Sequence, residues 1–498
     1  MSYSETIHYL YNLQKHGIKF GLNNISRLMS ALENPHRAFP SIHVSGTNGK
    51  GSTSAIIASI LKASGLKVGL FTSPHLLSFT ERIRVDNEEI IEYEVVNLAE
   101  EIRGKISNLQ SSISGFSPTF FEVVTAMALL YFRRKKIDIA VIEVGMGGRL
   151  DATNIVIPET TVITSIGYDH REFLGNTLKE IAYEKAGIIK DGIPVVVSSQ
   201  APDVLEVIEA KAEEKNAKVY LYGKDFSSML KRDDLSGIYF DYSGDDSFII
   251  HDLYLPLVGE YQMQNASAAI KAIELLIKKL TSCSSFLASH TKLRSYLSPS
   301  PPPPIKGGES PRSPIITHHF IREGLRNVKW PGRLEIIKTE PPILIDGAHN
   351  ADAAAALSYA LKKNFLDRFK RIILVLGIMG DKDIEGIMKP LLPLATEIIL
   401  TSPDYERAAS PAKLAAIAIS LGFPDVHIAP TVKNALELAI NICQQSNPPT
   451  LPLNKGGINN SALFTHYSSL ILVTGSFYTI GEAKEFIGHK GVLTRLRE

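Results

Sequence analysis

The chain has 498 residues, of which 44% are hydrophobic, and it is long enough to form two or three domains. Its 53 basic residues balance 52 acidic ones, so the net charge of +1 gives no support for general attraction to nucleic acid or to a membrane surface. The two cysteines argue against a disulfide framework, and the absence of a signal-peptide pattern or a long apolar run predicts a cytoplasmic location.

Short apolar runs alternate with amphipathic stretches through the first half of the chain. We predict strands at residues 42–45, 67–71, 137–144, 161–166 and 193–198. We predict helices within residues 5–32 and at residues 53–64, 92–108, 121–134, 177–189 and 265–280. This alternation indicates an α/β fold with a doubly wound parallel sheet. Residues 218–257 differ, because their short alternating runs and turns predict an antiparallel excursion.

Residues 282–320 contain the biased run S-P-S-P-P-P-P-I-K-G-G-E-S-P-R-S-P, and a similar piece recurs at 447–460. Such composition buries too little apolar surface to order itself, so we expect a flexible insertion, with a proline-rich ligand for a partner as the alternative. Strands predicted at 343–346, 371–376, 397–401, 426–429 and 470–474 then indicate a second, Rossmann-like α/β unit. We therefore expect domains at residues 1–281 and 321–498, joined through the segment 282–320.

A glycine-rich turn joins the first predicted strand to the first long helix, in the sequence H-V-S-G-T-N-G-K-G-S from His43 to Ser52. Such a turn exposes backbone N–H groups at a helix N-terminus, which suits a polyphosphate. Lys50 can neutralise phosphate charge, and the Ser52 hydroxyl can ligate Mg²⁺. The pattern departs from the standard phosphate loop, because Val44 replaces the first glycine and Gly51 is inserted. A purely structural glycine turn is the alternative.

Further polar residues follow predicted strands of the first half, where ligands of open α/β sheets bind. Glu143 corresponds to a Mg²⁺ carboxylate of phosphate-loop enzymes, or else to a capped or solvated glutamate. His170 is as consistent with a structural histidine as with a ligand, since Mg²⁺ prefers oxygen donors. Ser73 follows the second strand, and Lys185 near a helix end would be a solvated lysine by pattern alone.

In the second half, Arg333 in P-G-R precedes a strand and Asp346 in D-G-A-H-N follows one. Arginine can clamp a phosphate with two hydrogen bonds, and aspartate can bind a ribose hydroxyl. Asp346 is equally consistent with an N-cap of the alanine-rich helix that follows. Residues 377–383 lack a G-x-G-x-x-G turn, so a dinucleotide site is not indicated.

Together these motifs resemble the folylpolyglutamate synthase/dihydrofolate synthase family of the Mur ligase superfamily. The matching segments, in order from residue 43 to residue 350, are H-V-S-G-T-N-G-K-G-S, S-P-H-L, T-F-F-E, G-M-G-G-R-L-D-A-T-N, D-H, E-K-A-G-I, G-E-Y-Q-x-x-N-A, P-G-R-L-E and D-G-A-H-N. The resemblance covers the chain apart from the two proline-rich segments. It implies a phosphate-loop, ATP-binding Mur-ligase-like domain followed by a Rossmann-like ligase domain.

The resemblance also implies roles for individual residues. ATP would contact Thr47, Asn48, Gly49, Lys50, Gly51, Ser52, Asn265, Arg333, Asp346 and His349. Two Mg²⁺ sites would use Ser52, Ser73, Glu143, His170 and Lys185, with Lys185 carried as a carbamate. The catalytic set would be Lys50, Glu143, His170 and Lys185. Dihydropteroate would be held by Thr119, Phe120, Phe121, Glu122, Leu150, Asp151 and Ala152, although the family tyrosine of T-Y-F-E is Phe120 here.

The implied reaction is ATP-dependent addition of L-glutamate to dihydropteroate and to tetrahydrofolate through an acyl phosphate, by a monomer with no nucleic-acid or membrane partner. One rival is a cell-wall Mur ligase, which would carry a uridine-binding domain before the phosphate loop, whereas only 45 residues precede Gly46 here. Another rival is a nucleotide-regulated binding module, which would not require Arg333 and Asp346.

Overall fold

The structure is a computed structural model that describes residues 1–13, 21–245, 248–282, 314–446 and 467–489. Eight strands of the first half build one sheet: β1 (Ser41–Ser45), β2 (Val68–Phe71), β3 (Ile83–Val85), β4 (Glu88–Glu89), β5 (Ile139–Glu143), β6 (Thr160–Ile163), β7 (Val195–Val197) and β8 (Val219–Leu221). Their spatial order is β4-β3-β2-β5-β1-β6-β7-β8. Strands β2, β5, β1, β6, β7 and β8 run parallel, and β3 and β4 extend one edge in antiparallel pairing.

Helices cover both faces of this sheet, as buried parallel strands require. They are α1 (Tyr3–Asn12), α2 (Asn23–Ala31), α3 (Lys50–Ala63), α4 (Glu92–Ser112), α5 (Phe120–Lys135), α6 (Arg171–Leu174), α7 (Leu178–Ala186), α8 (Pro202–Glu214), α9 (Tyr261–Ser282) and α10 (Pro314–Arg326). Ile42 and Val44 of β1 are fully buried in a core that α3, α9 and α10 share. Helices α1, α2, α4 and α5 contribute to a second core with residues of β2 and β5.

A separate three-stranded antiparallel sheet confirms the excursion predicted for this region. It consists of β9 (Ser227–Asp234), β10 (Gly237–Ser243) and β11 (Ile249–Leu255), in the order β11-β10-β9. Its apolar face packs in the same core as α3. The predicted range began too early, because β8 pairs in parallel with β7 and belongs to the large sheet.

The second half forms its own sheet of six strands, in the order β12-β13-β17-β14-β15-β16. The strands are β12 (Glu335–Thr339), β13 (Pro342–Ile345), β14 (Arg371–Leu376), β15 (Glu397–Leu400), β16 (His427–Ile428) and β17 (Ser469–Thr474). All pairs are parallel except β12 with β13. The surrounding helices are α11 (Ala351–Asn364), α12 (Ile384–Leu391), α13 (Pro411–Ser420), α14 (Val432–Ser446) and α15 (Phe477–Phe486). The Rossmann-like arrangement is confirmed.

The segment predicted as a flexible insertion ends earlier than its composition indicated. Residues 314–320 lie in α10, whose apolar residues Ile321 and Leu325 are buried with α3. The Ser59 hydroxyl donates to the Gly324 carbonyl at 2.7 Å, and a Cβ on Gly324 would lie 2.4 Å from the Ile60 Cα. This close approach fixes α10 against α3. The remaining part of that prediction, and the segment 447–460, lie outside the described residues.

No helix in the described ranges combines the length and the apolar character needed to cross a membrane.

A buried ion pair in α9 leads to a prediction about stability. The Lys271 side chain is 0% exposed and pairs with Asp245 and with Glu274, whose Oε2 is 3.2 Å away. Lys278 pairs with the same two carboxylates, but its side chain is 48% exposed. Lys271→Met should lower the free energy of unfolding by about 2 kcal/mol, because Glu274 loses a fully buried partner and keeps the half-exposed Lys278, at 2.9 Å, as its cation. Lys278→Met, the control, should cost less than about 1 kcal/mol. Equal losses in urea unfolding would contradict this account.

Candidate functional site

The predicted phosphate loop is a turn between β1 and α3. Gly46 and Gly49 both have positive φ, +144° and +91°, which other residues rarely adopt. Space is restricted as well, because a Cβ on Gly49 would lie 2.3 Å from the Asn265 side-chain oxygen. The N-terminus of α3 therefore follows directly from a turn that only glycine satisfies, with Asn265 placed against it.

Hydrogen bonds from the segment that follows β6 hold this turn. The N–H groups of Thr47 and Asn48 donate to the Ser165 carbonyl at 2.8 and 3.1 Å. The Thr47 hydroxyl also donates to the Gly167 carbonyl at 3.0 Å. These two backbone donors are therefore engaged within the protein, and the N–H groups of the first turn of α3 remain to face an anion.

Lys50 and Glu143 line one cleft at the carboxyl end of the large sheet. Lys50 donates from Nζ to the Thr47 carbonyl at 3.1 Å. Glu143 is 4% exposed and accepts the Ser73 N–H at 3.2 Å. Burial raises the pKa of Glu143 to about 7, although the charge of Lys50 opposes that rise. A cation placed beside Glu143 would stabilise its ionised form.

Lys185 lies beneath the turn rather than in solvent. Its side chain is 3% exposed, and Nζ donates to the Gly46 carbonyl at 2.8 Å. Burial, followed by the charge of Lys50, lowers the pKa of Lys185 to about 7. The interpretation of a solvated lysine is therefore wrong, because α7 directs this amine into the protein.

His170 also lines the cleft, immediately before α6, with a positive φ of +49°. Its Nε2 lies 3.7 Å from Asp169 Oδ2. Desolvation lowers the pKa of His170, against the attraction of Asp169, although the side chain keeps 38% of its surface exposed. A lowered pKa favours the neutral imidazole, which is the form that can act as a ligand. Ser52 is buried in the first turn of α3 and is not among the residues that line the cleft.

The donor set of the cleft is compatible with Mg²⁺. Across the described ranges, no group of three or more His, Cys, Asp or Glu side chains is arranged so that it could hold a metal ion by itself. The buried Glu143 carboxylate, with the Ser73 backbone beside it, is an oxygen donor of the kind that Mg²⁺ prefers. Because Mg²⁺ commonly keeps water and substrate phosphates as ligands, few protein donors are sufficient.

The second sheet supplies the facing wall of the cleft. Arg333, Trp330, His349 and Phe477 line it, and the Arg333 guanidinium lies 5.0 Å from the centre of the Phe477 ring. The His349 Nε2 lies 3.6 Å from Asp169 Oδ2 across the cleft. Arg333 and His349 thus line the same cleft as residues 47–51 of the phosphate loop. Their contact with a nucleotide stays a prediction.

The structure decides against one of the two sequence interpretations of Asp346. It is buried, and its carboxylate accepts the N–H groups of Leu334 at 3.0 Å and Ala348 at 2.9 Å. The N-cap of α11 is Asn350, which accepts the Ala353 N–H at 2.9 Å, so the N-cap interpretation of Asp346 is wrong. Burial raises the pKa of Asp346.

The two segments assigned to dihydropteroate make mostly internal contacts. Thr119 and Glu122 form the capping box at the start of α5, where the Thr119 N–H donates to Glu122 Oε2 at 2.7 Å. The Asp151 carboxylate accepts the Met146 N–H at 2.9 Å within its own loop. Leu150 and Ala152 flank Asp151 in the same loop.

Two aromatic residues of the first segment make contacts outside it. Phe121 lies against Gly145, which lines the cleft, and Phe120 stacks on Tyr11.

Other contacts between the two halves were not predicted from the sequence. Lys382 donates from Nζ to Asp169 Oδ1 at 2.6 Å, and the side-chain amide of Asn350 donates to Asn48 Oδ1 at 3.0 Å. Asp169 is buried, yet the hydrogen bond from His349 and the nearby charges lower its pKa below the usual range. The only signal for Lys382 was its place in the polar run 377–383 after a strand.

Two family models match the chain. Residues 44–273 match the Mur ligase middle domain, and residues 332–448 match the Mur ligase glutamate ligase domain. The folylpolyglutamate synthase of Lacticaseibacillus casei is 37% identical over 82% of this chain and 87% of that protein. The dihydrofolate synthase/folylpolyglutamate synthase of Bacillus subtilis is 36% identical over 82% of this chain and 86% of that protein.

A solved structure is similar along its whole length. The folylpolyglutamate synthase of Mycobacterium tuberculosis, crystallised with ADP and AMPPCP, matches with a TM-score of 0.82 and 30% identity, over 99% of this chain and 100% of that one. Both halves of the chain and the order of its motifs therefore agree with one family. The chain belongs to the folylpolyglutamate synthase/dihydrofolate synthase family, a family of ATP-dependent glutamate ligases within the Mur ligases.

Proposed function

We propose that this ligase joins L-glutamate to dihydropteroate and to tetrahydrofolates through an acyl phosphate. A carboxylate oxygen of the acceptor attacks the γ-phosphorus of ATP, and ADP leaves. The glutamate amine then attacks the acyl carbon, loses a proton and displaces inorganic phosphate. The observation that carries this proposal is the single cleft in which Lys50 and Glu143 of the first half face Arg333 and His349 of the second.

The nucleotide would lie along residues 47–52, with its phosphates at the N-terminus of α3 and near Lys50. Asn265, which lies against Gly49, and Arg333 and His349 on the opposite wall would contact the rest of ATP. Asp346 already accepts two backbone N–H groups, but a carboxylate has about four acceptor positions and could still accept a ribose hydroxyl.

Two Mg²⁺ sites would use Ser52, Ser73, Glu143, His170 and Lys185 as ligands. When bound, Mg²⁺ would neutralise charge on the transferring phosphoryl group. Lys50 would stabilise the same charge from the phosphate loop, and Arg333 from the other wall. Exclusion of water by the two walls would protect the acyl phosphate from hydrolysis.

Carbamylation of Lys185 would convert a buried cation into an oxygen donor. The reaction with carbon dioxide requires a neutral amine, and a pKa of about 7 provides one near neutral pH. The Nζ position, 2.8 Å from the Gly46 carbonyl, places the group directly beneath the phosphate loop. These two properties support the modification.

The pterin-bearing acid would be held by residues 119–122 and 150–152. Phe121, through its contact with Gly145, links the first segment to the cleft wall. Phe120 replaces the family tyrosine and stacks on Tyr11 instead of offering a hydroxyl. A monomeric state and a cytoplasmic location stay predictions from the sequence.

The direct test is to incubate the purified protein with ATP, Mg²⁺, labelled glutamate and either dihydropteroate or tetrahydrofolate. Mass analysis should find one added glutamate in the first mixture and an extended chain in the second. Phosphate release that needs no glutamate, without an amide product, would instead indicate a nucleotide-regulated module.

Lys50→Ala should lower kcat by about 10³-fold, because the transferring phosphoryl group loses a fixed positive charge. Lys62→Ala, on the same helix but exposed, is the matched control and should leave turnover unchanged. Thermal melting would check that both variants fold. Near-normal turnover by Lys50→Ala would remove the phosphate loop from the mechanism.

Lys185→Ala should lower kcat, and small carboxylates such as acetate should restore part of the activity. Lys179→Ala, at an exposed position on the same helix, should have no such effect. In isotopically labelled bicarbonate, the NMR signal of a carbamate should strengthen as the pH rises through about 7, since only the neutral amine reacts. The absence of that signal at pH 8 would argue against the modification.

A further inference from the structure

Strand β1 has a buried polar face in addition to its apolar one. His43 and Ser45 are two residues apart, so their side chains project to the same side of the sheet. Both are fully buried, between β5 on one side and β6 on the other. Buried polar groups destabilise a fold unless they are hydrogen-bonded, so their partners indicate what they are for.

Both side chains bind the same loop, residues 145–154, which follows β5. His43 Nε2 lies 2.8 Å from the Thr153 hydroxyl, near the far end of the loop. The Ser45 hydroxyl donates to the Gly147 carbonyl at 3.0 Å, near its beginning. One strand thus holds this loop at two points.

The hydrogen bonds determine which nitrogen of His43 carries the proton. The single proton of the Thr153 hydroxyl is donated to Asp151 Oδ1, so the hydroxyl accepts from His43 Nε2–H. His43 Nδ1 is then a bare acceptor, in agreement with its having no hydrogen-bond partner among the described residues. Burial, with Lys190 nearby, lowers the pKa of His43 to about 3, which keeps the ring neutral.

The anchored loop carries residues 150–152, and β1 itself continues into Gly46 of the phosphate loop. His43 contacts Thr153, which contacts Asp151, so the chain of bonds reaches the middle of that segment. The five residues of β1 therefore set the position of one ligand-binding loop relative to the other.

We propose that His43 and Ser45 are positioning residues that hold the 145–154 loop in the place required to bind the pterin-bearing acid. The inference rests on the proposed function, which assigns residues 150–152 to that substrate. Loss of the His43 bond releases the far end of the loop, while the turn at residues 46–49 keeps its own bonds to Ser165 and Gly167. Binding of the acid should therefore weaken more than binding of ATP.

The test compares His43→Leu, which removes the donor, with His43→Gln, which can place an N–H near the position of Nε2. In His43→Leu the KM for tetrahydrofolate should rise about tenfold, the equivalent of one buried hydrogen bond, while the KM for ATP changes less than about twofold. His43→Gln should recover most of the lost affinity for the acid. A purely structural role would not produce this separation of the two KM values.

Two further variants decide the outcome if His43→Leu folds poorly. Thr153→Val keeps the histidine but removes its hydrogen bond together with the bond from Thr153 to Asp151, so the KM for tetrahydrofolate should rise at least as much as in His43→Leu. Thr161→Val is the matched control, because Thr161 pairs with His43 in register on β6 and its buried hydroxyl has no partner among the described residues. Thr161→Val should leave both KM values unchanged.

An unchanged KM for tetrahydrofolate in Thr153→Val, or equal rises for ATP and the acid in His43→Leu, would overturn the proposal. Failure of the unmodified protein to add glutamate at all would instead overturn the proposed function. The two failures are therefore distinguishable in one set of assays.

Discussion

The arrangement of the cleft depends on one turn held between two buried strands. The turn leaves β1, is bonded through Thr47 and Asn48 to the Ser165 carbonyl after β6, and enters α3. Lys185 fixes its first carbonyl from below. Because these bonds fix the direction in which α3 begins, the partial positive charge of its N-terminus faces the space between the two sheets. The helix N-terminus is surrounded by Glu143, Ser73 and His170, because each of them ends or follows a strand of the same sheet.

Much of the fold could be predicted because its central strands are continuous apolar runs. The run predicted at 371–376 coincides with β14, and those of β1, β5 and β6 differ from prediction by a few residues at their ends. The bounds of the edge strands β12, β3 and β4 were not predicted. These strands are partly exposed and mix polar with apolar residues, so their sequences resemble those of loops. The helix α10 was hidden by proline-rich composition, and its contact with α3 could be found only from packing.

Sequence motifs beside strands indicated three side chains that line one cleft: Lys50 follows the turn after β1, Glu143 ends β5 and Arg333 precedes β12. Their roles in binding stay predictions. The hydrogen-bond partners of the buried carboxylates could not be predicted in the same way. Asp346, Asp151 and Glu122 all accept N–H groups from their own surroundings, which a sequence motif does not indicate. Lys382 bonds Asp169 and Trp330 lines the cleft, and both lie in loops whose positions depend on tertiary packing. The burial of Lys185 likewise follows from the orientation of α7.

The position of α10 also determines where the two halves of the protein are tethered. Val328 is still buried with α3, and Trp330 packs against the same core, whereas Leu334 is buried with the second sheet. The covalent connection between the two halves is therefore short and runs from Pro331 to Arg333. Helices α9 and α10 share one core with α3, so the connection to the second half begins after α10. Arg333 is therefore the last residue of this connection, and it also lines the cleft. A change in the length of the connection would shift Arg333 relative to the phosphate loop, so the spacing between α10 and β12 is part of the geometry of the cleft.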